Sequence, residues 1–274
     1  APAMRPFFHT LYKELRRIVS SPSGFVFLVL QCLLAGFSVY TAMESYSGLS
    51  MPLEDGMAPV AGLEPLRDFI APLFRNSHLY LWPVLPAVFS GILPGQYQEG
   101  EFNFIGQFFG IGRTLYAKMT AGLLFYMALL SLSLPAVYYW IMLGGGVFPG
   151  EMLLLYGGYF LNGLFILALT LFVSSLLKNR RAVTFIVILL AGLSFGYDMF
   201  VELAPGAGYP AVWTPSAVMS LFETGRLFIP AAAYFAIPAA LLLALANITL
   251  MIKSRIKTIL LSAALILGLG ASLG

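Results

Sequence analysis

Residues 95–119 read GQYQEGEFNFIGQFFGIGRTLYAKM and join two strongly apolar segments. The stretch is too polar to cross a bilayer, because it holds Gln96, Gln98, Glu99, Glu101, Gln107, Arg113 and Lys118. It is also too aromatic for a plain solvated loop, since Phe102, Phe104, Phe108 and Phe109 crowd together. A short segment with an aromatic face and a charged flank reads as an interfacial or docking helix. Two uses fit it: a partner pushes on it, or it rests on lipid headgroups.

The segments on either side belong to a chain of 274 residues that is 59% hydrophobic and only 10% charged. A soluble domain carries about 25% charged residues, so there is too little polar surface here to cover a globule in water. Several apolar runs of the length a bilayer requires make the expected fold all-α, a polytopic membrane protein. Six transmembrane helices are expected, at about 25–43, 78–93, 117–143, 151–177, 182–200 and 229–252. The membrane domain is placed at 4–257 and an apolar tail at 258–274. That tail reads as a re-entrant piece, a seventh span or the start of a fused partner. No cleavable signal peptide is expected, because the first apolar run follows a basic segment and no small-x-small site closes it.

Residues 4–20 read as an N-terminal interfacial helix. Phe8, Leu11, Leu15 and Ile18 recur at spacings of three and four, giving one apolar stripe to lie on the membrane. Lys13, Arg16 and Arg17 fall off that stripe, where they can reach lipid phosphates and anchor the chain at the surface. Ser20-Ser21-Pro22-Ser23-Gly24 then breaks the helix. Residues 44–77 form a polar connection, whose 63–74 portion has the periodicity of a short helix across the membrane surface. Pro83 and Pro86 predict a kinked, packed second span, and Pro135 a kink in the third. Trp213-Thr214-Pro215-Ser216 looks like a helix start, so 216–223 is expected as a short surface helix.

Orientation follows from the basic residues. With six spans and the N-terminus inside, the inner segments hold Arg5, Lys13, Arg16, Arg17, Arg113, Lys118, Lys178, Arg180, Arg181, Lys253, Arg255 and Lys257, leaving Arg67, Arg75 and Arg226 outside. The positive-inside rule makes both ends cytoplasmic and puts 95–119 in the cytoplasm.

The pattern resembles the permease subunits of type-2 ABC exporters, and more closely the GldF-like permease of the gliding-motility-associated ABC system. Three pieces carry the resemblance: Lys13-Glu14-Leu15-Arg16-Arg17 with Ser20-Ser21-Pro22-Ser23-Gly24; Pro86 followed by Gly112-Arg113-Thr114-Leu115-Tyr116-Ala117-Lys118; and Phe172-Val173-Ser174-Ser175-Leu176-Leu177-Lys178-Asn179. The resemblance implies a bacterial inner-membrane protein that pairs with a second permease subunit, in a homo- or heterodimer, and with cytoplasmic ABC ATPase subunits. The 95–119 segment would then be the ATPase-coupling element, acting through Glu99, Glu101, Phe102, Phe104, Phe108 and Phe109. It departs from the family's E-x-R-x-x-G-T pattern, which leaves a second reading open. In that reading the chain is a membrane scaffold with degenerate coupling that organises an extracytoplasmic or fused partner.

The sequence has no G-x-x-x-x-G-K-[ST] phosphate loop, no H-E-x-x-H and no G-x-S-x-G. The chain itself is not expected to be an enzyme or to bind a cofactor or metal; ATP and Mg would sit on the partner ATPase. Membrane lipid is an expected partner and nucleic acid is not. The remaining leads are polar residues at membrane depth. Gln31 and Asn162 are mid-span amides, suited to interhelical hydrogen bonds or to substrate contact. Asp198 is an interfacial carboxylate or a cation site facing an outward cavity, and Asn247 is expected to hydrogen-bond a neighbour. Gly157-Gly158, Asn162-Gly163 and Ala191-Gly192 let helices approach closely, within one subunit or along a dimer seam.

Overall fold

The computed structural model describes residues 5–50, 65–90, 111–142, 146–177, 179–203, 214–225 and 228–251. Among these the protein is all-helical. The helices are α1 (Arg5–Val19), α2 (Pro22–Ser50), α3 (Ala71–Phe89), α4 (Ile111–Ser131), α5 (Leu134–Met142), α6 (Pro149–Leu176), α7 (Arg180–Leu203), α8 (Pro215–Glu223) and α9 (Ile229–Met251). A π-helical turn, Pro65–Ile70, leads straight into α3.

Among the described residues five stretches are long and apolar enough to cross a membrane: Pro22–Thr41, Gly112–Met142, Pro149–Leu176, Arg180–Val201 and Ile229–Leu250. The expected second span is the exception. Its helix begins at Ala71, earlier than expected, and so takes in Arg75, Asn76, Ser77 and His78, which dilute its apolar character. Helix α6 is the hub of the bundle and packs against α3, α4, α7, α8 and α9. Accordingly 61% of its apolar stretch is buried inside the protein, against 17% for α7 and 22% for α2. The outward faces of α2 and α7 carry Phe25, Leu33, Phe37, Phe185, Leu189 and Leu193. A bundle that leaves such side chains uncovered suits hydrocarbon surroundings.

The bundle has two ends. At one, Arg180 opens α7 by donating to the Ala87 carbonyl oxygen near the finish of α3 (2.9 Å), and Thr184 bonds Ser90 (2.7 Å). The first turn of α4 meets the last turns of α9 there, with Gly112 against the Asn247 side chain. Helix α1 packs along α4 at this end. At the other end lie the start of α3, the α4–α5 break, the start of α6 and helix α8. Pro135 does more than kink the third expected span. The helix breaks at Leu132–Ser133, where Ser133 donates to the Leu130 carbonyl (2.6 Å) and meets Tyr156 Oη (2.8 Å).

Two expected surface stripes are covered by protein. Of the 63–74 segment the described residues 65–74 run through the π-helical turn into α3. Leu66, Phe69, Ile70, Leu73 and Phe74 are core residues, with Phe69 stacked on Trp140 at 4.2 Å. The Leu11–Leu15–Ile18 stripe of α1 likewise packs against the protein core, while Phe8 is exposed. Periodicity locates an apolar face but does not say whether protein or lipid covers it, because acyl chains are as apolar as leucine.

Candidate functional site

Polar side chains buried in an apolar bundle are costly unless satisfied, so their positions mark where the fold has been constrained. Among the described residues those in ion pairs lie at the two ends.

At the α1 end, Lys118 of α4 donates from Nζ to Glu14 Oε1 at 2.8 Å, and the two side chains are 0% and 2% exposed. Arg17, one turn on in α1, lies 4.0 Å from the other carboxylate oxygen. The α1–α2 corner holds Glu14 in register. Ser21 Oγ donates to the Ile18 carbonyl (2.7 Å) and accepts from the Gly24 amide (2.9 Å). A Cβ at Gly24 would sit 2.0 Å from that carbonyl oxygen, so no other residue fits the corner. Two distant pieces of sequence, Lys13–Gly24 and Gly112–Lys118, thus meet through one buried ion pair. Phe172, Val173 and Ser174 are buried near the same end of α6. Asn179 Oδ1 accepts from the Arg181 amide at the start of α7 (2.9 Å).

At the opposite end, Glu223 closes α8 with its carboxylate turned inward. It accepts from Tyr159 Oη of α6 (3.0 Å) and from Arg75 Nε of α3 (3.1 Å), and the Arg75 guanidinium also makes a very close ion pair with it. Tyr159 passes the network on, since its backbone carbonyl accepts from Tyr126 Oη of α4 (2.8 Å). Glycines make this packing possible. A Cβ at Gly163 would lie 2.0 Å from the Tyr126 ring, and one at Gly158 would lie 2.4 Å from Phe222 Cγ.

Asp198 belongs to the same end. Its two carboxylate oxygens accept from the hydroxyls of Thr214 and Ser216. Thr214 caps α8 as its sequence predicts, accepting from the Ala217 amide (3.2 Å). Asp198 therefore ties α7 to the start of α8. Among the described residues no group of three or more His, Cys, Asp or Glu is placed to hold a metal ion.

Other expected site residues fall as follows. Glu99, Glu101, Phe102, Phe104, Phe108 and Phe109 lie outside the described residues, as does the 258–274 tail. Lys13, Arg16 and Arg17 are exposed on α1. Asn162 is fully buried on α6, one turn beyond Tyr159, and Gln31 is buried on α2. Among the described residues Asn247 Oδ1 has no hydrogen-bond partner, contrary to expectation; its side chain packs on Gly112 instead. Of the small pairs, Gly158 and Gly163 serve contacts within the subunit, whereas Gly157 and Gly192 face open space. The sequence reading missed Glu14, Lys118, Arg75 and Glu223 as partners. A carboxylate on the stripe side of an amphipathic helix was the available signal for Glu14. No family model, curated protein or solved structure matches this chain.

Proposed function

We propose that this protein is the transmembrane permease subunit of an ABC-type export complex in a bacterial cytoplasmic membrane, with its N-terminus cytoplasmic. In this reading α3 is the second of six spans, shielded by its neighbours, and the α1 end faces the cytoplasm. ATP, with Mg, is hydrolysed on separate subunits that press on the segment around Glu99, Glu101, Phe102, Phe104, Phe108 and Phe109. The uncovered faces of α2 and α7 meet lipid and a second permease subunit. The chain contributes movement and no catalysis.

The observation that carries this reading is the Glu14–Lys118 pair. Ser90 and Ile111, which flank the coupling segment, belong to the same end as that pair. A push between them is delivered to the foot of α4. Separating the pair inside the bundle is costly, so α1 and α4 move as one piece. Force entering at one short segment then reaches two helices together, as a driven permease requires. Exposed Lys13, Arg16 and Arg17 keep α1 at the level of lipid phosphates while this happens.

The test is affinity purification from native membranes in mild detergent, with partner identification and an ATPase assay. A stoichiometric ATPase is expected, with activity that falls when Phe104 and Phe108 are replaced by Ser in a complex that still assembles. A complex without an ATPase, or one indifferent to those changes, overturns the exporter and leaves a membrane scaffold.

A further inference from the structure

Helix α8 is fastened at both ends by carboxylates and along one face by apolar contacts. Its start is tied to α7 through Asp198, Thr214 and Ser216. Its finish is tied to α3 and α6 through Glu223, Arg75 and Tyr159. Between them Val218, Met219 and Phe222 are buried, with Phe222 seated on Gly158, while Ala217, Ser220 and Leu221 are exposed. Gly225 follows at φ 67°, a left-handed conformation natural to glycine, and turns the chain away from the helix.

The finishing tie is asymmetric: the Arg75 side chain is 61% exposed and that of Glu223 only 5%. If α8 lifts, Glu223 travels outward with it and regains water, and Arg75 is already hydrated. Neither charge is stranded in the apolar interior, which is the usual penalty for breaking a buried pair. The surface then uncovered is the part of α6 that α8 covers, Gly158 beneath Phe222 and the Tyr159 hydroxyl beside Glu223.

We infer that α8 is a hinged strap over the α6 surface at this end of the bundle, latched by Arg75–Glu223, and that it opens to uncover Gly158 and the Tyr159 hydroxyl. As the exit gate for cargo it rests on the exporter reading; its movement is a property of this chain alone. The latch sets how often the strap opens, and the Asp198 tie keeps its start in place as its finish swings.

The test uses the full chain in open membrane fragments, where both faces are accessible, in a Cys32→Ser background. Met219→Cys reports on the buried face of α8, and Ala121→Cys on a buried position of α4 at the opposite end of the bundle, away from α8. A hydrophilic maleimide is expected to label Met219→Cys slowly, and about ten-fold faster when Arg75→Gln or Glu223→Gln is added. Ala121→Cys stays protected throughout, which separates strap opening from loss of fold. Glu14→Gln, at the far end, is expected to leave Met219→Cys labelling unchanged. The proposal is overturned if both latch variants leave Met219→Cys as slow as the parent. It is overturned equally if Met219→Cys and Ala121→Cys become reactive together, or if Met219→Cys is already fast in the parent. No ATPase is needed, so failure here strikes the strap, whereas a complex lacking an ATPase strikes the exporter reading.

Discussion

The two ends of the bundle each carry an ion pair between distant parts of the chain, and the pairs are built differently. Glu14–Lys118 is closed off on both sides, at 2% and 0% exposure, whereas Arg75–Glu223 buries its carboxylate and leaves its guanidinium at the surface. Pulling the first apart strands an ammonium among apolar side chains. Pulling the second apart returns both charges to water. The same chemistry thus gives a staple at one end and a latch at the other, and the accessibility of the cation decides which.

The sharpest way to break this contrast is to remove one member of the staple. Lys118→Met leaves the buried Glu14 with only the half-exposed Arg17, 4.0 Å away, beside it and is expected to cost about 3 kcal/mol. Unfolding of the purified protein in lipid nanodiscs would measure it. Glu14→Leu with Lys118→Met restores most of that loss, because a packed apolar pair substitutes for a buried ionic one. If the single and double variants are equally impaired, the pair is not what holds α1 to α4.

Next in size are the glycines under the latch network. Gly163→Ala drives a methyl into the Tyr126 ring and is expected to cost about 1–3 kcal/mol. Gly192→Ala, on the open face of α7, should leave stability within about 0.5 kcal/mol or raise it slightly through helix propensity. The same unfolding measurement reads both, and equal effects would mean that close packing at Tyr126 contributes nothing.

Arg75→Gln is expected to cost only about 1 kcal/mol, since the exposed guanidinium is screened by solvent. A loss as large as that of Lys118→Met would erase the distinction between latch and staple. Smallest of all, Arg16→Ala on the exposed face of α1 should change stability by less than about 0.5 kcal/mol. It should nevertheless weaken the salt-sensitive association of the isolated 4–20 peptide with vesicles containing anionic phospholipid, measured by co-sedimentation.

What the sequence revealed and what it concealed divide along a physical line. Local signals were legible: the apolar runs of α2, α4, α6, α7 and α9, the Thr214-Pro215 start of α8, and a disturbance at Pro135, expected as a kink and found as a break. Each depends on residues within a few positions of one another. Pairings were not legible, because Glu14 finds Lys118 across 104 positions and Arg75 finds Glu223 across 148. A single sequence carries no record of which charge meets which. Burial was misjudged for the same reason at 63–74 and in α1, where an apolar stripe meant for protein reads like one meant for lipid. Lys118 was counted among the charges that orient the chain; its fully buried side chain shows that a basic residue near a helix start can serve the core as well.

The most direct test of the whole account is maleimide labelling of Met219→Cys in the complex purified from native membranes, with and without ATP and Mg. The account predicts that turnover accelerates labelling of α8, that Phe104→Ser with Phe108→Ser abolishes the acceleration, and that a cross-link between α1 and α4 at the Glu14–Lys118 level does not. Labelling that ignores ATP in a complex containing an active ATPase, or acceleration lost on joining α1 to α4, would contradict it.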